Sequence, residues 1–305
     1  MLERLSSNTK KNSLSLIKIL SFFFIIYLFF KFVNQEDFFY ILSKISLKYI
    51  FLIYIIYMCL PVAHAIRWFI IVKSFSSIKF YDLFKNIITG YSLSLIVSSA
   101  FAIDAAKFMK IKKEIGYKNS LLLVSIDKFI ALAFKLIFLS IFISFYVYFY
   151  MKVNLIYISL SIFFSLTIIL IFLKIDKIII FFTNIFFKDK VETLSLFFKK
   201  IKKNILKIIF INTVTQLVNV ILYFLIFLSF GSYLGFTSLL VFTPLVELFG
   251  QFSFLIFGMK EISTVFILDF FSIGKELALS VAIIHLFMEY LVIISINIIL
   301  KLIKK

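Results

Sequence analysis

His64 and Arg67 stand three residues apart in an otherwise apolar stretch, a spacing that puts both on one face of a helix. Trp68 follows, a residue suited to a membrane–water interface. Asp104 and Lys107 repeat the i, i+3 spacing after the small residues Ser98, Ser99, Ala100 and Ala102. Asp127 and Lys128 are adjacent in a long apolar segment, and Lys135 comes two turns later. Glu247 and Gln251 are four residues apart, and Lys260 and Glu261 adjoin Gly258. His285 and Glu289 share a face near the C-terminus, and Gln216 and Asn219 mark another apolar run. A charged side chain at the centre of a bilayer costs about 2.5–3.5 kcal/mol on insertion scales, so each of these groups is a functional candidate. The chemistry they suit is recognition of a charged group. The competing reading is an interhelical polar network, with Arg67 snorkelling to the inner surface and Asp127 with Lys128 ending a span.

The same inventory excludes most catalysis. The chain has no phosphate-binding glycine loop, no GxSxG elbow, no HExxH helix and no DxxD carboxylate cluster. Two histidines and one cysteine make a metal site improbable on number alone. No catalytic residue, metal or cofactor is expected, and the chain is not read as an enzyme. Cys59 lies inside an apolar run as a small packing residue and has no second cysteine to bond.

What must position these groups is a set of apolar helices. The chain is 63% hydrophobic with a mean hydropathy of +1.12, against about 45–50% apolar residues in soluble domains. Apolar runs of about 20 residues recur along it, each long enough to cross a hydrocarbon core of about 30 Å. They lack the alternation of barrel strands, so the fold class is all-α integral membrane. Spans are predicted at 14–33, 49–72, 120–150, 154–173, 207–230 and 277–300, with two further apolar segments at 80–101 and 236–257. No small-residue cleavage pattern follows the first run, so it is read as a span and not a leader. The net charge of +18 is read as topology and contact with anionic lipid, not as nucleic-acid binding.

Charge decides how the two extra segments are threaded. Stretch 104–118 has five Lys against Asp104 and Glu114, and 174–207 has nine Lys against Asp176, Asp189 and Glu192. Stretch 34–48 is neutral, and 258–276 carries two Lys against Glu261, Asp269 and Glu276. If 80–101 crossed completely, both basic stretches would lie outside, against the positive-inside tendency. If 80–101 and 236–257 are re-entrant hairpins from opposite sides, every loop fits, with both termini cytoplasmic. The predicted architecture is six spans plus two opposed hairpins in one domain, 1–305. Its halves are 49–150 and 207–305, joined by span 154–173 and a basic amphipathic linker, 174–206. A weak echo at an offset of 157 places Ser77–Phe80 on Leu234–Thr237 and Asp104 on Glu261, as an inverted repeat would. Inverted repeats with broken helices and a midplane site belong to secondary transporters.

Three motifs resemble one known family. Arg67-Trp68, the run Ser98–Lys107 followed by Ser125-Ile126-Asp127-Lys128, and Gly258-Met259-Lys260-Glu261 are similar to the RW, PSSxGGDxxR…S…(D/E)R and GxGxRE signatures of the lysylphosphatidylglycerol synthase transmembrane region, or flippase-like membrane family. The resemblance covers about 15–303. Ala102 and Ile103 replace the paired glycines, Val97 the proline, and Lys107, Lys128 and Lys260 the motif arginines. Lysine keeps the charge and loses the bidentate fork that suits phosphate.

The resemblance implies a lipid-handling protein of the cell (inner) membrane. The expected function is translocation of an anionic lipid or polyprenyl-linked precursor. The alternative is an accessory or scaffold protein for an envelope lipid- or glycan-modifying enzyme. The chain stops at Lys305, straight after its last span, so it resembles the flippase half and synthase activity is not expected. The expected substrate-binding residues are Arg67, Asp104, Lys107, Asp127, Lys128, Glu247, Lys260 and Glu261, in a midplane cavity between the hairpins. The expected partners are membrane lipids, with a lipid-modifying or glycan enzyme as the possible protein partner and no nucleic acid.

Overall fold

The computed structural model describes residues 34–94, 99–150, 199–251 and 259–303, with isolated positions Lys31, Ser159, Phe163 and Thr167 between them. The predicted spans 14–33 and 154–173, and the linker as far as 198, lie outside the described residues but for those positions. Among the described residues the regular structure is helical. A short helix, α1 (Gln35–Ser43), is capped by Asn34, whose side chain accepts the Glu36 amide at 3.1 Å. It buries Phe38 and rests on the last helix.

Among the described residues, four helices are long and apolar enough to cross a membrane: α2 (Leu47–Val72), α5 (Tyr117–Tyr150), α6 (Ile205–Ser229) and α9 (Lys275–Ile303). At a rise of about 1.5 Å per residue, the 26 residues of α2 extend for about 39 Å. Their outward faces carry Phe145, Tyr148, Phe210, Phe287 and Ile294, all exposed, as a lipid-facing surface should. The interior is mostly apolar but also holds polar groups. Lys107, Asp127, Asn212, Gln216, Thr243 and His285 are all buried. In lipid there is little hydrophobic force between helices, so close packing and interhelical polar contacts hold the bundle.

Two hairpins stand between the spans. The first is α3 (Phe80–Ser94) against α4 (Ser99–Ile115), and the second is α7 (Phe236–Gly250) against α8 (Met259–Phe270). The arms of the first nearly touch. A Cβ on Gly90 would lie 2.9 Å from the Ile103 Cα and 3.0 Å from the Ala106 Cβ. The apolar pattern places the first hairpin at 80–101, but its returning arm continues to Ile115. The arm reads as a loop in hydropathy because its charges offset its apolar residues. In space it is amphipathic: Ala102, Ala106, Lys107 and Ile111 face inward, and Lys112 and Lys113 are exposed at its end. Gly116, at φ 80°, turns the chain from α4 into α5, a conformation that favours glycine.

The halves are related by an inverted packing. Leu47 to Ile205 is 158 residues, Phe80 to Phe236 is 156 and Tyr117 to Lys275 is 158, so helix starts recur near the sequence offset. Contacts recur too: α2 on α3 as α6 on α7, α4 on α5 as α8 on α9, and α5 on α7 as α9 on α3. The self-matched pair α2–α6 runs antiparallel. The Ser46 amide at the start of α2 donates to the Ser229 carbonyl at the end of α6 at 3.0 Å, while Asn204, capping α6, donates to Ser74 beyond α2 at 3.3 Å. The two hairpins therefore enter from opposite ends of the bundle.

Candidate functional site

A cavity of about 240 Å³ opens where the two hairpins and the four long helices converge. It is lined from α2 by Tyr57, His64 and Arg67, from α4 by Asp104 and Lys107, and from α5 by Asp127, Lys128 and Lys135. From the other half, α6 supplies Asn212, Gln216 and Asn219, the second hairpin Glu247, Gln251 and Lys260, and α9 His285 and Glu289.

Asp127 is the hub of the first half. Its carboxylate has a relative exposure of 1% and meets the Lys107 Nζ at 2.7 Å and the Arg67 Nε at 3.1 Å. Arg67 also donates through Nη1 to the Asn212 side-chain Oδ1 at 3.0 Å, which ties α2 to both α5 and α6. Lys107 lies 3.8 Å from Asp104, its i, i+3 neighbour, and Asp104 accepts from Lys128 at 3.0 Å. Lys107 also sits 5.3 Å from the centre of the buried Trp68 ring, a cation–π distance. The Arg67-Trp68 dipeptide thus works on two sides: the arginine holds Asp127, and the indole packs against the lysine that shares it.

The second half repeats the device. Lys260, on the returning arm of its hairpin, pairs with Glu289 on the next span at 3.2 Å, as Lys107 pairs with Asp127. Glu289 also accepts from Tyr57 at 3.3 Å, and Tyr57 lies 3.5 Å from the His285 Nε2. Lys135 crosses between halves to Glu247 at 2.6 Å, and Glu247 also accepts from Asn219. His64 hydrogen-bonds Tyr91, and Gln216 donates to Thr243 at 3.2 Å.

Seven of the eight expected residues line this one cavity: Arg67, Asp104, Lys107, Asp127, Lys128, Glu247 and Lys260. Glu261 does not. It is half-buried beside Lys260, and the carboxylate facing that lysine is Glu289. The adjacent Lys260-Glu261 pair points about 100° apart around a helix, so only one of the two reaches the cavity. Tyr57, Tyr91 and Asn212 escaped the sequence reading. Asn212 had a signal, since Asn212, Gln216 and Asn219 fall at i, i+4 and i+7 on one face. The tyrosines had none, because an apolar helix also carries tyrosine at interfaces. Among the described residues no group of three or more His, Cys, Asp and Glu side chains is placed to hold a metal ion.

What the cavity offers is charge of both signs with amide and hydroxyl donors. It can bind and orient a charged group. No curated protein and no solved structure matches the chain. One family does, described as the lysylphosphatidylglycerol synthase TM region, over residues 15–296.

Proposed function

This chain belongs to the lysylphosphatidylglycerol synthase transmembrane-region family, multi-pass membrane proteins of lipid modification or transport, and from that premise we propose that it moves a lipid or polyprenyl-linked precursor between leaflets. The observation that carries this reading is the cavity itself, which gathers ionic side chains of both halves between two opposed hairpins. A headgroup crossing the bilayer needs polar partners at the midplane, where water supplies none. Inverted halves about such a site give two related arrangements of the same contacts, one open to each side. The chain performs no chemistry on the lipid in this reading. Lys107 and Lys260 bind its phosphate, with Arg67 and Asp127 holding Lys107 in place. The basic ends of α4 and α6 lie at the cytoplasmic surface of the cell (inner) membrane, with both termini cytoplasmic.

The test is translocation in vesicles reconstituted with the purified chain and a fluorescent anionic phospholipid. Wild-type protein should expose inner-leaflet label to an external quencher far faster than empty vesicles. Lys107→Ala with Lys260→Ala should slow this by at least about tenfold, since losing even one of the two charge-assisted contacts costs about 1.4 kcal/mol or more. An unchanged rate in the double variant would remove the proposed role from this cavity.

A further inference from the structure

Three groups with no task so far form a chain of their own. Tyr57 donates its hydroxyl hydrogen to the Glu289 Oε2 at 3.3 Å. A phenol has one hydrogen to give, so in its contact with the His285 Nε2 at 3.5 Å the imidazole is the donor. The imidazole is held by stacking on Tyr223, with ring centres 4.8 Å apart and planes 14° from parallel. The order is therefore His285 to Tyr57 to Glu289, and it ends at Lys260, whose Nζ lies 3.2 Å from the same Glu289 oxygen. The other histidine, His64, also hydrogen-bonds a tyrosine, Tyr91, but among the described residues no carboxylate hydrogen-bonds that hydroxyl.

The two lysines assigned to phosphate differ in what they would leave behind. A phosphate that draws Lys107 from Asp127 leaves Arg67 on that carboxylate at 3.1 Å. One that draws Lys260 from Glu289 leaves no second cation there, because among the described residues Lys260 is the ion-pair partner of Glu289. The arriving anion also meets Glu261 beside Lys260, and Glu247 across the cavity, the latter held by Lys135. Tyr91 from α3 and Tyr290 from its own helix face Glu289 as well. Like charges gathered around one ammonium disfavour full ionisation, and a bound proton relieves them. Glu289 is the carboxylate with a donor chain attached. Resting on the phosphate contact given to Lys260 above, we propose that the site is proton-coupled: as Lys260 passes from Glu289 to the phosphate, Glu289 takes up one proton, delivered from His285 through the Tyr57 hydroxyl. A proton from water in the cavity first binds the His285 Nδ1. The imidazolium then gives its Nε2 hydrogen to the Tyr57 oxygen as the Tyr57 hydrogen passes to the Glu289 Oε2. One N–H and one O–H bond break, two O–H bonds form, and His285 is left neutral. When the phosphate leaves, Lys260 returns to Glu289 and the proton is released. Chains of histidine and carboxylate serve as proton relays in pumps and transporters.

Counting protons tests this apart from transport. The full chain in neutral detergent is titrated with dihexanoyl phosphatidylglycerol, a singly charged phosphodiester that does not itself titrate near neutral pH. Calorimetry in two buffers of different ionisation enthalpy gives the protons taken up. Wild-type protein should take up about one per lipid bound, and its affinity should fall about tenfold for each unit of rising pH, because the bound state holds the extra proton. Glu289→Gln, fixed in the neutral form, should take up none and bind with little dependence on pH. Tyr57→Phe, which removes the relay hydroxyl, should reach the same count at least about tenfold more slowly, read by a pH-indicator dye in stopped flow. Wild-type binding without proton uptake would overturn the proposal, as would no binding at all. Uptake that persists in Glu289→Gln, or is not slowed in Tyr57→Phe, would also overturn it, by moving the proton to another group or another route. Lipid movement in vesicles without proton uptake would defeat this inference and leave the translocase reading standing. Proton-linked binding without movement would do the reverse.

Discussion

Asp127 is wedged between Lys107 and Arg67 from two other helices, with almost none of its side chain exposed. Asp104 makes similar contacts to Lys107 and Lys128 at the rim of the cavity, at 23% exposure. Burial separates the two more than distance does. Removing one partner of a buried ionic cluster strands the other charges at low dielectric, at a cost of about 3–5 kcal/mol. A partly solvated pair contributes about 0–1 kcal/mol. Asp127→Asn should therefore lower the thermal midpoint of the detergent-solubilised protein by many degrees, and Asp104→Asn by few. Equal losses would mean that Asp127 is better solvated than its surroundings indicate. The spacing of Asp104, Lys107, Asp127 and Lys135 in apolar sequence marked all four as candidates, and all four line the cavity. The Asp104–Lys107 spacing was legible, but the distant partners were not, because Lys135 meets Glu247 across 112 positions of chain and no local pattern encodes such a pairing.

The first hairpin depends on the absence of a side chain. At Gly90 an added methyl group would sit 2.9 Å from backbone on the opposite arm, which cannot turn aside as a flexible side chain could. Gly90→Ala should push α3 and α4 apart and cost about 1–3 kcal/mol, as overpacking does. Gly274→Ala is the control. Its Cβ meets nothing nearer than the Glu276 carboxylate at 3.8 Å, so the change should stay within about 0.5 kcal/mol. Thermal unfolding of the two variants side by side decides the matter, and equal midpoints would rule out the close approach. At this scale the sequence was informative for helices and poor at their ends. The small residues Ala102 and Ala106 permit the close contact at Gly90. The length of the returning arm stayed hidden, because its lysines divide between a buried partner and the exposed end, and an average over sequence cannot separate the two.

The whole molecule is asymmetric in charge. The end where α2 finishes and α6 begins carries Lys73, Lys112, Lys113, Lys118, Lys199, Lys200, Lys202, Lys203 and Lys207. The opposite end, where Ser46 meets Ser229, carries Lys44, Lys48 and Lys275 against Glu36, Asp37, Asp269 and Glu276. The proposed orientation puts the basic end in the cytoplasm, where positive loops are retained. In intact cells, an impermeant maleimide should label Tyr233→Cys and leave Lys113→Cys unlabelled until the membrane is opened, with Cys59 changed to Ala in both. The reverse pattern would invert the proposed orientation. The sequence by itself determined the class of this protein, since helices of this length and hydropathy have no other stable environment, and its loop charges were enough to choose opposed hairpins over full spans. Only the tertiary structure decided which candidates share a site, that Glu289 and not Glu261 answers Lys260, and that Asp127 meets two cations where Glu289 meets one. The reason is physical: hydropathy and loop charge are sums along the chain, whereas an ion pair between helices exists only where the chain brings them together from distant positions.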